Sequence, residues 1–132
     1  MKAITICQPY ASAFFMAESR RKRPENRDWP TAYRGPLLIH AGKSRAWMDD
    51  FDNPMFDSLR EIEMPFGCII GMVELAACLS IDAYCERFGD DPWAIGPWCH
   101  VYEHPELFRE PIPYRGALGI FEVPESVLSG HI

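Results

Sequence analysis

Three ionisable residues, Lys22, Glu25 and Arg27, fall at relative positions i, i+3 and i+5, and Trp29 follows two residues later. If this stretch is extended, Glu25 and Arg27 lie on one face, because side chains alternate along extended backbone. They can then form an ion pair that fixes the guanidinium fork. A fixed planar fork suits a phosphate or a base edge better than a free ammonium does. Lys22 adds a mobile cation, and Trp29 and Tyr33 offer faces on which a base can stack. Glu25 can also accept from an exocyclic amino group, as carboxylates do from cytosine. A cation, a carboxylate acceptor and a stacking plane are the parts of a single-nucleotide pocket. The competing reading is a buried Glu25–Arg27 pair that only locks the segment.

An enzyme can be built from the same residues. Lys22 would serve as base or electrostatic stabiliser and Glu25 as general acid–base, each tuned toward neutrality. Flanking cations favour the ionised carboxylate, however, which weighs against Glu25 as an acid and toward binding. Further candidates are Arg34 and Lys43, which add cations to the binding set, and Gln8, which either presents its amide to the same cleft or braces a turn. His40 lies on an apolar run and reads as a satisfied core or rim histidine. Trp98 and Tyr114 belong either to the core or to the cleft wall. No motif calls for a cofactor or a metal.

These residues must be positioned by flanking elements. Pro24 and Pro30 exclude a continuous helix, so residues 22–30 read as a loop held between regular elements. Before it, residues 2–7 form a strand, and a helix starting at Gln8-Pro9 carries Tyr10, Ala13, Phe14 and Ala17 on one face. After it, Pro36–Ala41 is a buried strand, and Ser44 caps a helix over 45–62 that breaks at Asn53-Pro54. Residues 65–75, extending to Leu79, read as the longest strand, with Gly67 and Gly71 as bends that let a sheet curl. Ser80 caps a helix over 81–88. A strand follows at 96–102, interrupted at Pro105, and a last one at 117–123 is stopped by Pro124. Tyr-Arg-Gly occurs at 33–35 and again at 114–116, as paired turns at one end of a barrel. The irregular alternation excludes a doubly wound sheet. It fits an α+β domain, a small mixed β-barrel with two or three flanking helices.

The whole chain bounds these readings. At 132 residues it is long enough for one domain, 1–132, with a proper core. No apolar run approaches the roughly 20 residues of a membrane span, and the N-terminus does not read as a signal peptide, so a cytoplasmic protein is expected. The five cysteines include no C-x-x-C pair, which argues against a disulfide framework or a structural zinc site and for buried inert thiols. The net charge is −6, yet residues 20–45 hold eight basic residues against two acids, while the remainder holds five against seventeen. A local positive patch on an acidic body suits a small anionic target, not a long duplex. The oligomeric state is not legible.

The motifs, taken together, resemble the ASCH domain family of the PUA-like superfamily. The resemblance rests on Ile6-Cys7-Gln8-Pro9-Tyr10-Ala11, the Lys22/Glu25/Asn26/Arg27/Trp29 segment, Tyr33-Arg34-Gly35-Pro36-Leu37-Leu38-Ile39-His40-Ala41, Gly96-Pro97-Trp98 and residues 111–119. Lys22, Glu25 and Arg27 match the family's G-x-K-x-x-E-x-R signature, with Arg20 in place of its glycine. The resemblance implies a PUA-like β-barrel whose cleft against the first helix is lined by the signature and holds RNA or a nucleotide-like ligand. It also implies a hydrolytic alternative. Some relatives are linked to RNA cleavage, and one branch hydrolyses N4-acetylcytidine with a threonine nucleophile at the position of Glu25 and a lysine base at that of Lys22. This chain keeps the lysine and lacks the hydroxyl.

Overall fold

The computed structural model describes residues 1–129. Its framework is one six-stranded, curled half-barrel sheet in the order β2-β5-β4-β3-β1-β6, which with its short helices makes an α+β fold, as expected. The strands are β1 (Lys2–Ile6), β2 (Pro24–Arg27), β3 (Gly35–Ala41), β4 (Cys68–Ser80), β5 (Trp98–Pro113) and β6 (Ile120–Glu122). β1 and β3 run parallel, and every other pairing is antiparallel. Three short helices accompany them, α1 (Tyr10–Ala13), α2 (Ile81–Phe88) and α3 (Glu125–Leu128), with two 3-10 helices over Met48–Asp52 and Pro54–Leu59.

The central strands are buried on both faces, which is why β3 reads as a continuous apolar run. Leu37, Ile39 and Ala41 join Ile4, Ile6, Phe14 and Tyr102 in one core cluster, whereas Leu38 joins Ala3, Ile69, Phe108 and Val123 in another. Gly71 marks the curl: a Cβ there would lie 2.5 Å from the Glu106 carbonyl oxygen and 2.6 Å from the Phe15 ring. The β4–β5 register shifts on either side of it. α2 begins as its sequence requires, with the Ser80 hydroxyl accepting from the Ala83 N–H at 3.2 Å, and ends at Gly89 with φ of 79°.

Several expectations need correction. The segment expected as a loop contains β2, an edge strand, where a leading proline leaves no sheet hydrogen bond unmade. The first helix is a single turn, continued by turns as far as Arg21. Residues 45–62 form two 3-10 helices in place of α-helix, broken at Asn53 as expected, and Ser44 accepts only from the Ala46 N–H of the preceding turn. β5, not β4, is the longest strand, and Pro105 does not stop it. β2 pairs only with Trp98–Val101, so the rest of β5 has a free edge that tolerates proline, and a bulge with His104 at φ 52° absorbs the local distortion. The last strand is confined to Ile120–Glu122. The two Tyr-Arg-Gly turns do not sit together: Gly35 pairs with Leu75, well along β4, whereas the Tyr114 N–H donates to the Gly67 carbonyl just ahead of that strand.

Candidate binding cleft

β2 sets the geometry of the site. Its register places Glu25 opposite His100 and Arg27 opposite Trp98. The Glu25 carboxylate is clamped from both sides. One oxygen accepts from Lys22 Nζ at 2.7 Å and the other from Arg27 Nε at 3.0 Å. Arg27 Nη2 also donates to the Thr5 carbonyl at 3.1 Å, tying the guanidinium to the end of β1.

Lys22 is not the mobile cation expected. Its side chain is 4% exposed, its ammonium donates to the Pro24 carbonyl at 2.6 Å, and it sits 4.6 Å from the centre of the Phe14 ring. Burial pushes its pKa down from the usual lysine range, and Glu25 opposes that shift. Glu25 is 10% exposed and Arg27 26%, so exposure rises stepwise from lysine to arginine.

Arg27, Glu25 and Lys22 line one side of a cavity of about 800 Å3. The end of β1, Tyr10 of α1, the segment from Trp47 to Phe56 and the loop at Pro92–Ile95 enclose the rest. Trp47 is 55% exposed at its mouth, while Tyr10, Phe56 and Trp93 pack edge to face as its aromatic wall. Tyr10 donates its hydroxyl to Asp50, and burial together with that hydrogen bond pushes its pKa up to about 12. Asn26 shapes the opposite wall. Its amide donates to the Trp93 carbonyl at 2.9 Å, and its oxygen accepts from the N–H groups of Ile95 and Gly96 at 2.8 Å each.

The other expected residues lie elsewhere. Gln8 is fully buried and braces the β1–α1 junction between the Pro65 carbonyl and the Ser12 N–H. Trp29 packs against the core and edge to face with His100, 4.7 Å away, and Tyr33 packs against the same core. Arg34 folds back on the carbonyls of Thr31 and Tyr33. Lys43 lines a neighbouring cavity. His40 is a satisfied core histidine, held between Thr5 Oγ1 at 3.1 Å and the Tyr114 carbonyl at 2.6 Å. Tyr114 packs on the core cluster around Leu38, and Trp98 is half-buried on β5.

The basic segment does not gather into one patch. Arg21 is buried against Glu18, Glu103 and the Tyr102 carbonyl, and Arg23 pairs with Glu103 at 2.8 Å. Arg45 lies 3.9 Å from the centre of the Phe66 ring. In the cleft itself, Lys22 and Arg27 face three carboxylates, Glu25, Asp49 and Asp50. Its chemistry is therefore that of aromatic faces and directed hydrogen bonds, not of excess positive charge. The five cysteines are all free, as expected, though only Cys68 and Cys99 are buried. Among the described residues no cluster of side chains suits a metal ion, and no helix is long and apolar enough to cross a membrane.

Beneath the site, His100 donates from Nε2 to the Trp29 carbonyl at 2.9 Å while its Nδ1 finds no partner. Burial pushes the pKa of both His40 and His100 below the ordinary histidine value of 6.5. Below that value the unfolded chain takes up protons that the fold refuses. Stability is therefore expected to be intact above about pH 6.5 and to fall as the pH drops through the folded values. Urea unfolding between pH 7.5 and 5 checks this, and a His100→Gln variant should show a shallower decline.

No family model matches the chain. Over 136 residues it is 26% identical to activating signal cointegrator 1 of Homo sapiens and of Mus musculus. That match covers 96% of this chain but 23% of those proteins, so the chain spans about a quarter of the length of these relatives. The crystal structure of ASCH from Zymomonas mobilis aligns with a TM-score of 0.60 over 97% of this chain and 90% of that one, at 14% identity. A point mutant of the same protein aligns at 0.57, covering 97% and 93%, at 13% identity. Likeness at this level of identity establishes the fold.

Proposed function

On the premise that the chain has the fold of the ASCH domain, we propose that its cleft holds the base of a nucleotide or of a short single-stranded RNA. The carrying observation is the combination in one cavity of an immobilised guanidinium and an exposed indole. Arg27 is fixed by Glu25 and by the Thr5 carbonyl, which leaves Nη1 to donate to a ligand. Trp47 supplies an accessible stacking face, and the wall of Tyr10 and Trp93 supplies an apolar lining. The stacking role assigned in sequence to Trp29 and Tyr33 passes to Trp47. Expected occupants are planar, hydrogen-bonding groups, since the excess of carboxylates around the cleft disfavours holding phosphate inside it.

Hydrolysis of an RNA phosphodiester or of a modified nucleoside such as N4-acetylcytidine is a second reading, supported by the downward shift of Lys22 that a lysine base needs. The lining offers three groups that could act as nucleophile, and none is paired with Lys22 or Glu25. The Thr5 hydroxyl is engaged with His40, the Tyr10 phenol with Asp50, and the half-buried Cys7 thiol is hydrogen-bonded to neither Lys22 nor Glu25. Binding is the better-supported reading.

Trp47→Ala tests it. Because Trp47 is exposed, the variant should keep the unfolding midpoint of the parent. Its affinity for a short single-stranded RNA should fall by about 1–3 kcal/mol, the scale of one base–aromatic stack. Unchanged affinity by fluorescence anisotropy contradicts the placement of the base.

A further inference from the structure

We infer that a second cavity, which adjoins the cleft at Thr5, binds the phosphate of a nucleotide chain whose base occupies the cleft. The inference rests on the reading of the cleft as a base pocket and extends it to the part of the ligand that the cleft cannot hold. The second cavity measures about 780 Å3 and lies beyond the end of β1. Thr5 lines both spaces: its carbonyl accepts from Arg27 on the cleft side, and its hydroxyl meets His40 on the other.

Charge distinguishes the two spaces. The second cavity is lined by Lys43 and Arg115 and by no carboxylate. Both cations are exposed, and neither forms a salt bridge among the described residues. Within the positive segment, Arg21, Lys22, Arg23 and Arg27 are already spent on Glu18, Glu25 and Glu103, Arg34 folds back on backbone carbonyls, Arg45 lies on the Phe66 ring, and Arg20 lines a cavity that holds four carboxylates. A phosphodiester entering the second cavity therefore meets cations that it does not have to take from an internal partner.

Backbone shape makes room for it. Gly67, at φ 69°, lets the Lys43 stem lie across it, since a Cβ there would come within 3.0 Å of Lys43 Cγ. At Gly116 a Cβ would lie 2.7 Å from Thr5 Oγ1 and 2.9 Å from His40 Cε1, so any side chain would press on the boundary between the two cavities. His40 is kept neutral by burial and supplies shape, not charge.

The opposite exit from the cleft does not serve. There a cavity of about 550 Å3 adjoins it across Trp93, but three arginines meet four carboxylates, and two of the arginines are already paired. The chain is therefore expected to leave the cleft toward Lys43 and Arg115. The ligand class that follows is a nucleotide or single-stranded oligonucleotide with a phosphate next to the bound base, held more tightly than a free nucleoside.

The test compares the parent with the double variant Lys43→Ala/Arg115→Ala. Probes are a mixed-sequence single-stranded RNA hexamer followed by anisotropy at several salt concentrations, the four ribonucleosides followed by NMR, and inorganic phosphate. The double variant should lose roughly tenfold or more in hexamer affinity at low salt, and its salt slope should shrink by about one to two units. Nucleoside shifts at the cleft should persist in it. Inorganic phosphate alone should move Lys43 and Arg115 signals weakly, because the base anchor is missing. Unchanged hexamer affinity and slope in the double variant, with binding still weakened in Trp47→Ala, overturns the phosphate site and leaves the cleft reading standing. A parent protein that binds neither hexamer nor nucleosides overturns both.

Discussion

Replacing Glu25 by Ala is expected to lower the unfolding free energy by about 3–5 kcal/mol, the cost of leaving a buried charge without its counterpart. Lys22 is the reason. Its ammonium is buried beneath Phe14 and Tyr10, and of its two acceptors only Glu25 carries charge. Removing Glu25 also frees Arg27 from the cleft wall, since Thr5 alone would then hold it. Urea unfolding measures the loss. A double change, Lys22→Met with Glu25→Leu, should recover much of it, because apolar replacement of a buried pair is often close to neutral. A cost under about 1 kcal/mol for Glu25→Ala would mean that Lys22 reaches water and that the clamp is weaker than its geometry. Glu25 thus braces the buried Lys22 and, on the proposed reading, aims Arg27 at the cleft, whereas the sequence set a structural and a binding Glu25–Arg27 pair as alternatives.

Arg27→Lys separates the two roles. The substitution keeps the charge and discards the planar fork that spans Glu25, Thr5 and the cavity. Arg27 is partly exposed, and a pair in that setting contributes about 0–1 kcal/mol, so the unfolding midpoint should barely move. Affinity for a single-stranded RNA or a preferred nucleoside should fall by about 1.5–3 kcal/mol, the scale of one hydrogen bond made by a charged group. Calorimetric titration of parent and variant decides it. Equal affinities would remove Arg27 from the binding set and leave it a tether between β2 and β1.

What was legible in the sequence is local. The spacing of Glu25 and Arg27 reports their shared face whether the backbone is a loop or an edge strand, so the ion pair was readable although the element was misassigned. Ser80 marks the start of α2, because an N-cap acts within three residues. Pro24 misled because proline forbids a helix without forbidding an edge strand. The burial of Lys22 was not readable, since it depends on Phe14 and Tyr10 being folded over it by α1. The cleft wall was hidden for the same reason. Trp47, Phe56 and Trp93 approach Tyr10 and Arg27 only through the fold, and their spacing carries no periodic signal. Asn26 sat inside the recognised motif, yet its work on the loop at Trp93–Gly96 is a contact across some 70 residues. Trp29 and Tyr33 had the right chemistry but pack on the core.

The central claim is that the cavity between β2, Tyr10 and Trp47 receives a base. Its most direct measurement is an NMR titration of the four ribonucleosides and a single-stranded RNA hexamer, read at the indole N–H signals of Trp47 and Trp93 and at Arg27 Nε–H. The account predicts saturable shifts of Trp47 and Arg27 with at least one nucleoside, stronger with the hexamer, while Trp29 stays in place. Saturable shifts at Trp29 and Tyr33, with Trp47 and Arg27 unmoved, would contradict it.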